Sequence, residues 1–263
     1  MSSLITNPES DRFLDAAKIL AQRRLRGESG AQLPFDLRPN NVADAMQIQA
    51  LLASQMQDDI AGWKCGMPSE DRIVIAPIFA QTVFQQKLSN ICKVYDKNLV
   101  KIEPEMAFVL ATDLPPRITP YVADDIRPAI SHAQLALEII GCRYAEPALT
   151  SFTEHLADGL FNQGLFLGPK IHLYDAEQAQ KMTIRLSVKN AVQQEFDGIH
   201  PAVSPIEPLF WLVEYLRQQG AGLKAGQAII TGSFAGSPVV PINKNISLQF
   251  AELGSIDVRF EQY

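Results

Sequence analysis

The chain has 263 residues, of which 47% are hydrophobic and 20% charged, and a formal net charge of −6. This composition supports a sizeable packed core and excludes a disordered chain, and the length suits one large β-rich or α/β domain or two small ones. No basic stripe and no bilayer-length apolar run occurs, so neither nucleic acid nor a membrane is an expected partner. The start, Met1 to Ser10, has no basic region followed by an apolar run. Cys65, Cys92 and Cys142 stand far apart without a C-x-x-C pair, and together these features suit a cytoplasmic protein without disulfides.

Residues 8 to 27 read as a helix, with Asn7 as its cap and Pro8 at its first position. Phe13, Leu14, Ala17, Leu20, Ala21 and Leu25 make one apolar stripe at helical spacing. After a loop with Gly27, Gly30, Pro34 and Pro39, Asn41 with Asp44 three residues on marks the cap of a second helix running to about Gln57. From Gly62 the period changes. Gly62-Trp63-Lys64-Cys65-Gly66-Met67 is a short strand, and Lys64 within it either snorkels to solvent or faces a polar cavity. Arg72 to Phe84 is apolar and broken by proline, which predicts a strand ending at Pro77.

Lys101 to Leu110 alternates as a strand. Ile102, Pro104, Met106, Phe108 and Leu110 fall on one face, and Lys101, Glu103, Glu105, Ala107 and Val109 on the other. The second face begins charged and ends small and apolar, so it should run from an open cavity into packed interior. Glu103 and Glu105 sit roughly 7 Å apart at their Cα atoms, close enough for both to reach one hard divalent cation. A solvated strand face with two acids is the plainer alternative.

Beyond the prolines at 115, 116 and 120, Asp124 and Asp125 open a short helix. Gln134 to Ile140 alternates again, with Glu138 between Ala136 and Ile140 on a weakly polar face. A lone acid there needs a partner, and either a cation or an ion pair with Arg143 or Lys101 would serve. Residues 151 to 168 carry His155, Asp158 and Asn162 in a short helix and a loop returning to a strand. A strand follows over 181–196, then an amphipathic helix from Glu207 to Gln219. A buried strand, Ala228 to Ser233, enters a glycine-rich turn, and two short strands cover 246–251 and 255–260. Helices first, then many short strands with few crossover helices, point to an α+β fold with a mixed or rolled β core. G-x-G-x-x-G, G-x-x-x-x-G-K-[ST], H-E-x-x-H and G-x-S-x-G are all missing, so the carboxylates are the most informative polar groups.

Five stretches together resemble the fumarylacetoacetate hydrolase superfamily, and within it the 2-oxopent-4-enoate hydratase and 4-oxalocrotonate decarboxylase branch. Lys101 to Leu110 is similar to the E-x-E strand, and Leu135-Ala136-Leu137-Glu138-Ile139-Ile140-Gly141-Cys142-Arg143 to A-L-E-[IV]-[IV]-x-S-R. Gly62 to Gly66 resembles G-x-K-[VL]-G, Leu223 to Ser233 resembles L-x-x-G-x-x-[IV]-L-T-G-[SA], and Leu253 to Phe260 resembles the closing G-[LI]-G-S-[VI]-x-[VA]-x-F. The matches keep their order from about residue 40 to the end.

The resemblance implies a mixed β-sandwich roll over 61–263, the catalytic domain, with an N-terminal helical part over 1–60 packed on it. It implies that Glu103, Glu105 and Glu138 hold one Mg²⁺ or Mn²⁺, that Lys64 and Asp158 are catalytic, and that Lys64, Gly66, Thr231 and Gly232 meet a 2-oxo acid. The implied activity is a metal-dependent hydratase of a 2-hydroxy-2,4-dienoate in aromatic catabolism. A decarboxylase or C–C hydrolase of a related 2-oxo acid is the second reading, and a non-catalytic 2-oxo-acid-binding relative or partner subunit the third. The expected partners are the small-molecule acid and further copies of the same chain. Two departures stand out. The branch's acidic G-V-D-x-P-D reads Ile73-Val74-Ile75-Ala76-Pro77-Ile78 here. Its V-A-D-N-A-S reads Leu156-Ala157-Asp158-Gly159-Leu160-Phe161-Asn162, which keeps Asp158 and displaces or loses the Asn and Ser.

Overall fold

The helix Pro8–Arg26 places Phe13, Ala16, Ala17, Leu20 and Ala21 on one buried stripe, as the spacing predicts. Leu25, expected on that stripe, is 55% exposed; in the last turn the buried position is taken by Arg24, which turns to the carbonyls of Asp158 and Asn162. The computed structural model describes residues 8–263, so the expected cap at Asn7 lies outside the described residues. The second helix, Val42–Gln55, is capped as expected, with the Asn41 side chain accepting from the Asp44 N–H at 2.9 Å.

Two units divide the chain. The first comprises residues up to Asp59 together with Cys142–Asn162, so a segment from mid-chain joins the N-terminal helices. Its short helix Phe152–Asp158 packs on Val42–Gln55. A capping box at Ser151 and Glu154 starts this helix, and Gly159 ends it in the left-handed region at φ 92°. Leu160 and Phe161 continue at φ 50° and 66°, conformations that side-chain-bearing residues rarely adopt. Arg24 holds this corner, donating to the carbonyls of Asp158 at 2.5 Å and Asn162 at 2.9 Å. Arg143 Nε reaches both carboxylate oxygens of Asp158, at 3.0 and 2.7 Å.

The second unit, Ile60–Gly141 with Gln163–Tyr263, carries two curled sheets. The eight-stranded sheet runs in the spatial order Val74–Phe79, Ile60–Gly66, Ala228–Ile230, Leu99–Leu110, Ile130–Ile140, Asn162–Ile171, Val83–Gln85, with Val239–Pro241 also on Leu99–Leu110. The five-stranded sheet runs Ile91–Val94, Gly254–Gln262, Asn245–Phe250, Lys181–Val188, Ala191–Ile199. This is the expected α+β architecture with a mixed β roll. Two expectations differ. The run read as one strand over 181–196 is a hairpin of Lys181–Val188 and Ala191–Ile199, turned at Lys189 and Asn190 with φ 51° and 65°. The strand expected to end at Pro77 continues to Phe79. It lies at the edge of its sheet, where a residue without an N–H costs no ladder bond on the open side.

The central antiparallel pair, Leu99–Leu110 with Ile130–Ile140, sets Glu103 opposite Glu138, Glu105 opposite Ala136 and Ala107 opposite Gln134. Ile102, Met106, Phe108, Leu135, Leu137 and Ile139 are buried on the far face. On the near face Lys101 is exposed, Glu103 half-buried, and Glu105 and Ala107 buried. Ala107 and Ala136 join Ile78, Leu165, Ala228 and Ile230 in one apolar cluster beneath the acids.

Among the described residues no helix is long and apolar enough to cross a membrane. Asp158 is 1% exposed between Arg143 and Arg24. Replacing it with Asn leaves buried guanidinium charge uncompensated, so Asp158→Asn should lower the unfolding free energy by about 3 kcal/mol. Guanidinium-chloride unfolding measures this, and an unchanged midpoint would show that the pair adds nothing to the fold.

Candidate metal centre

Three carboxylates converge in the second unit: one oxygen each from Glu103, Glu105 and Glu138 lies within 4.8 Å of the others. Strand pairing does most of this, because directly opposite residues share a face. Glu138 is fully buried and Glu105 nearly so, whereas Glu103 is on the solvent side. Each has a donor. Lys64 Nζ donates to Glu138 Oε1 at 2.8 Å, the Gly232 N–H to Glu105 Oε2 at 2.7 Å, and the Ser237 hydroxyl to Glu103 Oε1 at 2.6 Å.

Lys64 therefore faces the acids and does not snorkel to solvent. The partner of Glu138 is Lys64, and neither Arg143 nor Lys101 takes that place. Arg143 pairs with Asp158, and Lys101 sits opposite Ile140 on the exposed end of its strand. Burial pulls the Lys64 pKa down, but Glu138, Glu103 and Glu105 together push harder, and it ends above the ordinary lysine value. Glu105 is driven well above the carboxylate range, first by burial and then by repulsion from Glu138 and Glu103.

This donor set fits a hard divalent cation. Three ionised carboxylates and one ammonium leave two negative charges uncompensated, the charge of one such ion, and all the offered atoms are oxygens. A positive charge among the three would relieve the repulsion from Glu138 and Glu103 that adds to burial in raising the Glu105 pKa.

The remaining sequence candidates divide. Gly66 ends the strand two residues beyond Lys64, and a Cβ there would stand 3.3 Å from Val74 Cβ. Gly232 lies beside Glu105 at φ 133°, where a Cβ would stand 2.6 Å from Pro201 Cγ, so only glycine brings its N–H to that carboxylate. Thr231 is fully buried, with its hydroxyl 3.5 Å from His200 Nε2. Asp158 belongs to the other unit, where Arg143 engages its carboxylate. His155 is in that unit too, its Nε2 3.0 Å from the Pro147 carbonyl and its ring against Phe161 and Tyr144. In the departed stretch, Ile75, Ala76 and Ile78 are fully buried, Ile78 in the apolar cluster under the acids.

Ser237 and His200 were not legible as site residues. Ser237 sits in a glycine-rich turn with no period to assign its side chain a face. The sequence signal at His200 is a single histidine before Pro201.

The family model for the fumarylacetoacetate (FAA) hydrolase C-terminal domain matches residues 64–261, and the chain belongs to that family. It is 30% identical over 168 residues to the TodF product hydratase of Pseudomonas putida, and 31% identical over 170 residues to the 2-oxo-hept-4-ene-1,7-dioate hydratase of Escherichia coli. Each match covers 61% of this chain, and the chain spans only 59% and 61% of those relatives' own lengths. In fold, it superposes with a TM-score of 0.73 on 4-oxalocrotonate decarboxylase from Pseudomonas putida G7, complexed with magnesium and adipate. That match has 19% identity and covers 95% of this chain and 98% of the other.

His200 offers a pH test of the ground beneath Gly232. Its Nδ1 accepts from the Ala202 N–H at 3.1 Å, and burial, outweighing the hydrogen bonds, holds its pKa below the usual histidine value. An unfolded histidine takes its proton near about pH 6.5, whereas folded His200 refuses it until lower pH. Its contribution to stability is present above that value and is lost as pH falls through the folded pKa. His200→Asn keeps an acceptor for the Ala202 N–H and should flatten this part of the profile. Urea unfolding from pH 7.5 to 5 reads the difference, and parallel profiles for the two proteins would show that the buried ring takes its proton freely.

Proposed function

We propose that this chain is a divalent-metal-dependent hydro-lyase, hydrating a 2-hydroxy-2,4-dienoate of the 2-oxopent-4-enoate type in aromatic catabolism. The observation that carries the reading is the convergence of Glu103, Glu105 and Glu138 around the Lys64 ammonium. The names of the hydratase relatives support the substrate class. In this reading the three glutamates hold Mg²⁺ or Mn²⁺, and the magnesium complex of the fold neighbour supports that choice. A cation held there would supply positive charge to stabilise negative charge developing on the oxygens of a bound 2-oxo acid.

The chain's own groups do the rest. Lys64 carries a proton on Nζ, held there by the acids around it, and offers it to the substrate's carboxylate end or to its dienol. Gly232 keeps Glu105 turned inward through its N–H, with Thr231 anchored on His200 behind it. Gly66, two residues beyond Lys64 on the same strand face, meets the bound acid through its backbone in this reading. Asp158 has a supporting part, neutralising Arg143 and Arg24. Water adds across the remote double bond, and the product is the 4-hydroxy-2-oxo acid.

A second reading has its own observation. Ile75 and Ile78 are fully buried where the resemblance calls for acids. A chain lacking those groups could bind a 2-oxo acid without turning it over. The first test supplies 2-hydroxypenta-2,4-dienoate with Mg²⁺ and follows the loss of diene absorbance. Formation of 4-hydroxy-2-oxopentanoate is the expected result. Carbon dioxide release from an oxalocrotonate-type acid would move the assignment to a decarboxylase, and tight oxalate binding with no turnover would move it to a binding protein.

Two substitutions test the site itself. Glu103→Gln should weaken Mn²⁺ binding by more than about tenfold while the fold survives, and equal affinity in calorimetry would sink the ligand assignment. Lys64→Met removes a charge-assisted hydrogen-bond donor and should weaken oxalate binding to the loaded protein by about tenfold or more. Equal oxalate affinity would show that Lys64 serves only Glu138.

A further inference from the structure

The segment from Thr231 to Pro238 runs alongside the acid-bearing strand and is hydrogen-bonded to it along its length. The Gly232 N–H donates to the Glu105 carboxylate at 2.7 Å, and the Phe234 N–H to the Pro104 carbonyl at 3.0 Å. The Ser237 hydroxyl donates to Glu103 Oε1 at 2.6 Å, and the Pro238 carbonyl accepts from the Ile102 N–H at 3.0 Å. Within the segment, the Ser233 hydroxyl donates to the Gly236 carbonyl at 2.7 Å and accepts from the Ala235 N–H at 3.3 Å. Backbone bonds at Phe234 and Pro238 thus bracket Ser237 and set where its hydroxyl stands.

The three acids need different amounts of help. Glu138 and Glu105 are buried, and packing leaves them few orientations. Glu103 is half-buried on the solvent side, where a glutamate side chain otherwise samples several rotamers. A hydroxyl fixed by the backbone on one carboxylate oxygen sets the direction of the other, as outer-shell donors do for ligating carboxylates elsewhere.

We propose that Ser237 is a positioning residue that turns Glu103 toward a divalent cation shared with Glu105 and Glu138. The proposal rests on the metal-centre reading of those three acids. Ser237 does not touch the ion; it acts through Glu103. Its exposure makes its substitution a local change that leaves the folded core alone.

The experiment titrates metal-free native protein, Ser237→Ala and Ser237→Thr with MnCl₂ by calorimetry, and repeats the alanine change in a Glu103→Gln background. Ser237→Ala should raise the Kd for Mn²⁺ by about tenfold, the low end for an outer-shell donor, because the site is open to water on this side. Ser237→Thr, which keeps the hydroxyl, should stay within about twofold of the native value. Thermal unfolding of the metal-free alanine variant should shift by less than about 2 °C, as for other exposed substitutions. In the Glu103→Gln background the alanine change should have no further effect. An unchanged or lowered Kd for Ser237→Ala overturns the proposal, as does an equal loss with and without Glu103. If Glu103→Gln weakens binding while Ser237→Ala does not, only the role of Ser237 falls. If native protein takes up no Mn²⁺, the metal-centre reading falls and takes this proposal with it.

Discussion

The ion pair between Lys64 and Glu138 ties the concave face of the eight-stranded sheet together. The strand Ile60–Gly66 is three places from Ile130–Ile140, with Ala228–Ile230 and Leu99–Leu110 between them. In a flat sheet that offset is about 14 Å across the strands. The registers put Lys64 level with Ile230, Ala107 and Gln134, so Glu138 is a further four residues along its strand, about 13 Å. No lysine and glutamate side chains bridge such a diagonal in a plane. They meet at 2.8 Å because the sheet twists and curls, bringing one end of the edge region over the centre. The roll is thus the condition for the site.

The curl alone would be useless if the acids were on the wrong face. A slip of one residue between Leu99–Leu110 and Ile130–Ile140 would turn Glu138 into the apolar side and bring Leu137 or Ile139 to the site. The opposite face prevents that. Ile102, Met106, Phe108, Leu135, Leu137 and Ile139 are packed there without exposure, and moving them toward charge would sacrifice most of the core's burial. Beneath the acids, the buried cluster of Ala107, Ala136, Ile78 and Ile230 offers no polar side chain. Carboxylates above such a floor cannot rely on solvation, so each has an assigned donor, and burial raises the worth of any charge that joins them.

Much of this was legible in the alternation of Lys101 to Leu110 and Gln134 to Ile140, which assigns Glu103, Glu105 and Glu138 to faces without knowledge of the pairing. The run from Lys101 through the acids to Ala107 also reads correctly as a passage from solvent to interior. The partner of Glu138 was out of reach, because nothing local ties Lys64 to a residue 74 positions away across two intervening strands. Pro77 misled for a physical reason: a proline ends a central strand but is harmless on an edge, and edge position is a property of the whole sheet. Cys142–Asn162 carries no sign of joining the N-terminal helices, because its bonds to them, such as Arg24 to the carbonyls of Asp158 and Asn162, involve backbone groups that any sequence possesses.

The departures from the family pattern take on a definite meaning against this frame. Ala76 stands directly opposite Lys64 and Ile78 opposite Gly62, so both share the face of Lys64. Ile75, opposite Cys65, is on the other. An acid at position 78 would sit in the apolar cluster, where an ionised carboxylate lacks water and would add to the repulsion already acting on Glu105. Isoleucine there keeps the floor apolar and adds no fourth acid to the three glutamates that act on Lys64. Bringing three carboxylates and one ammonium together is then what this sheet secures most firmly, because it follows from strand register and curl together. In the stretch that matches the family pattern's acids this chain carries none, and Lys64 is the charged group on that side whose place strand register and curl dictate.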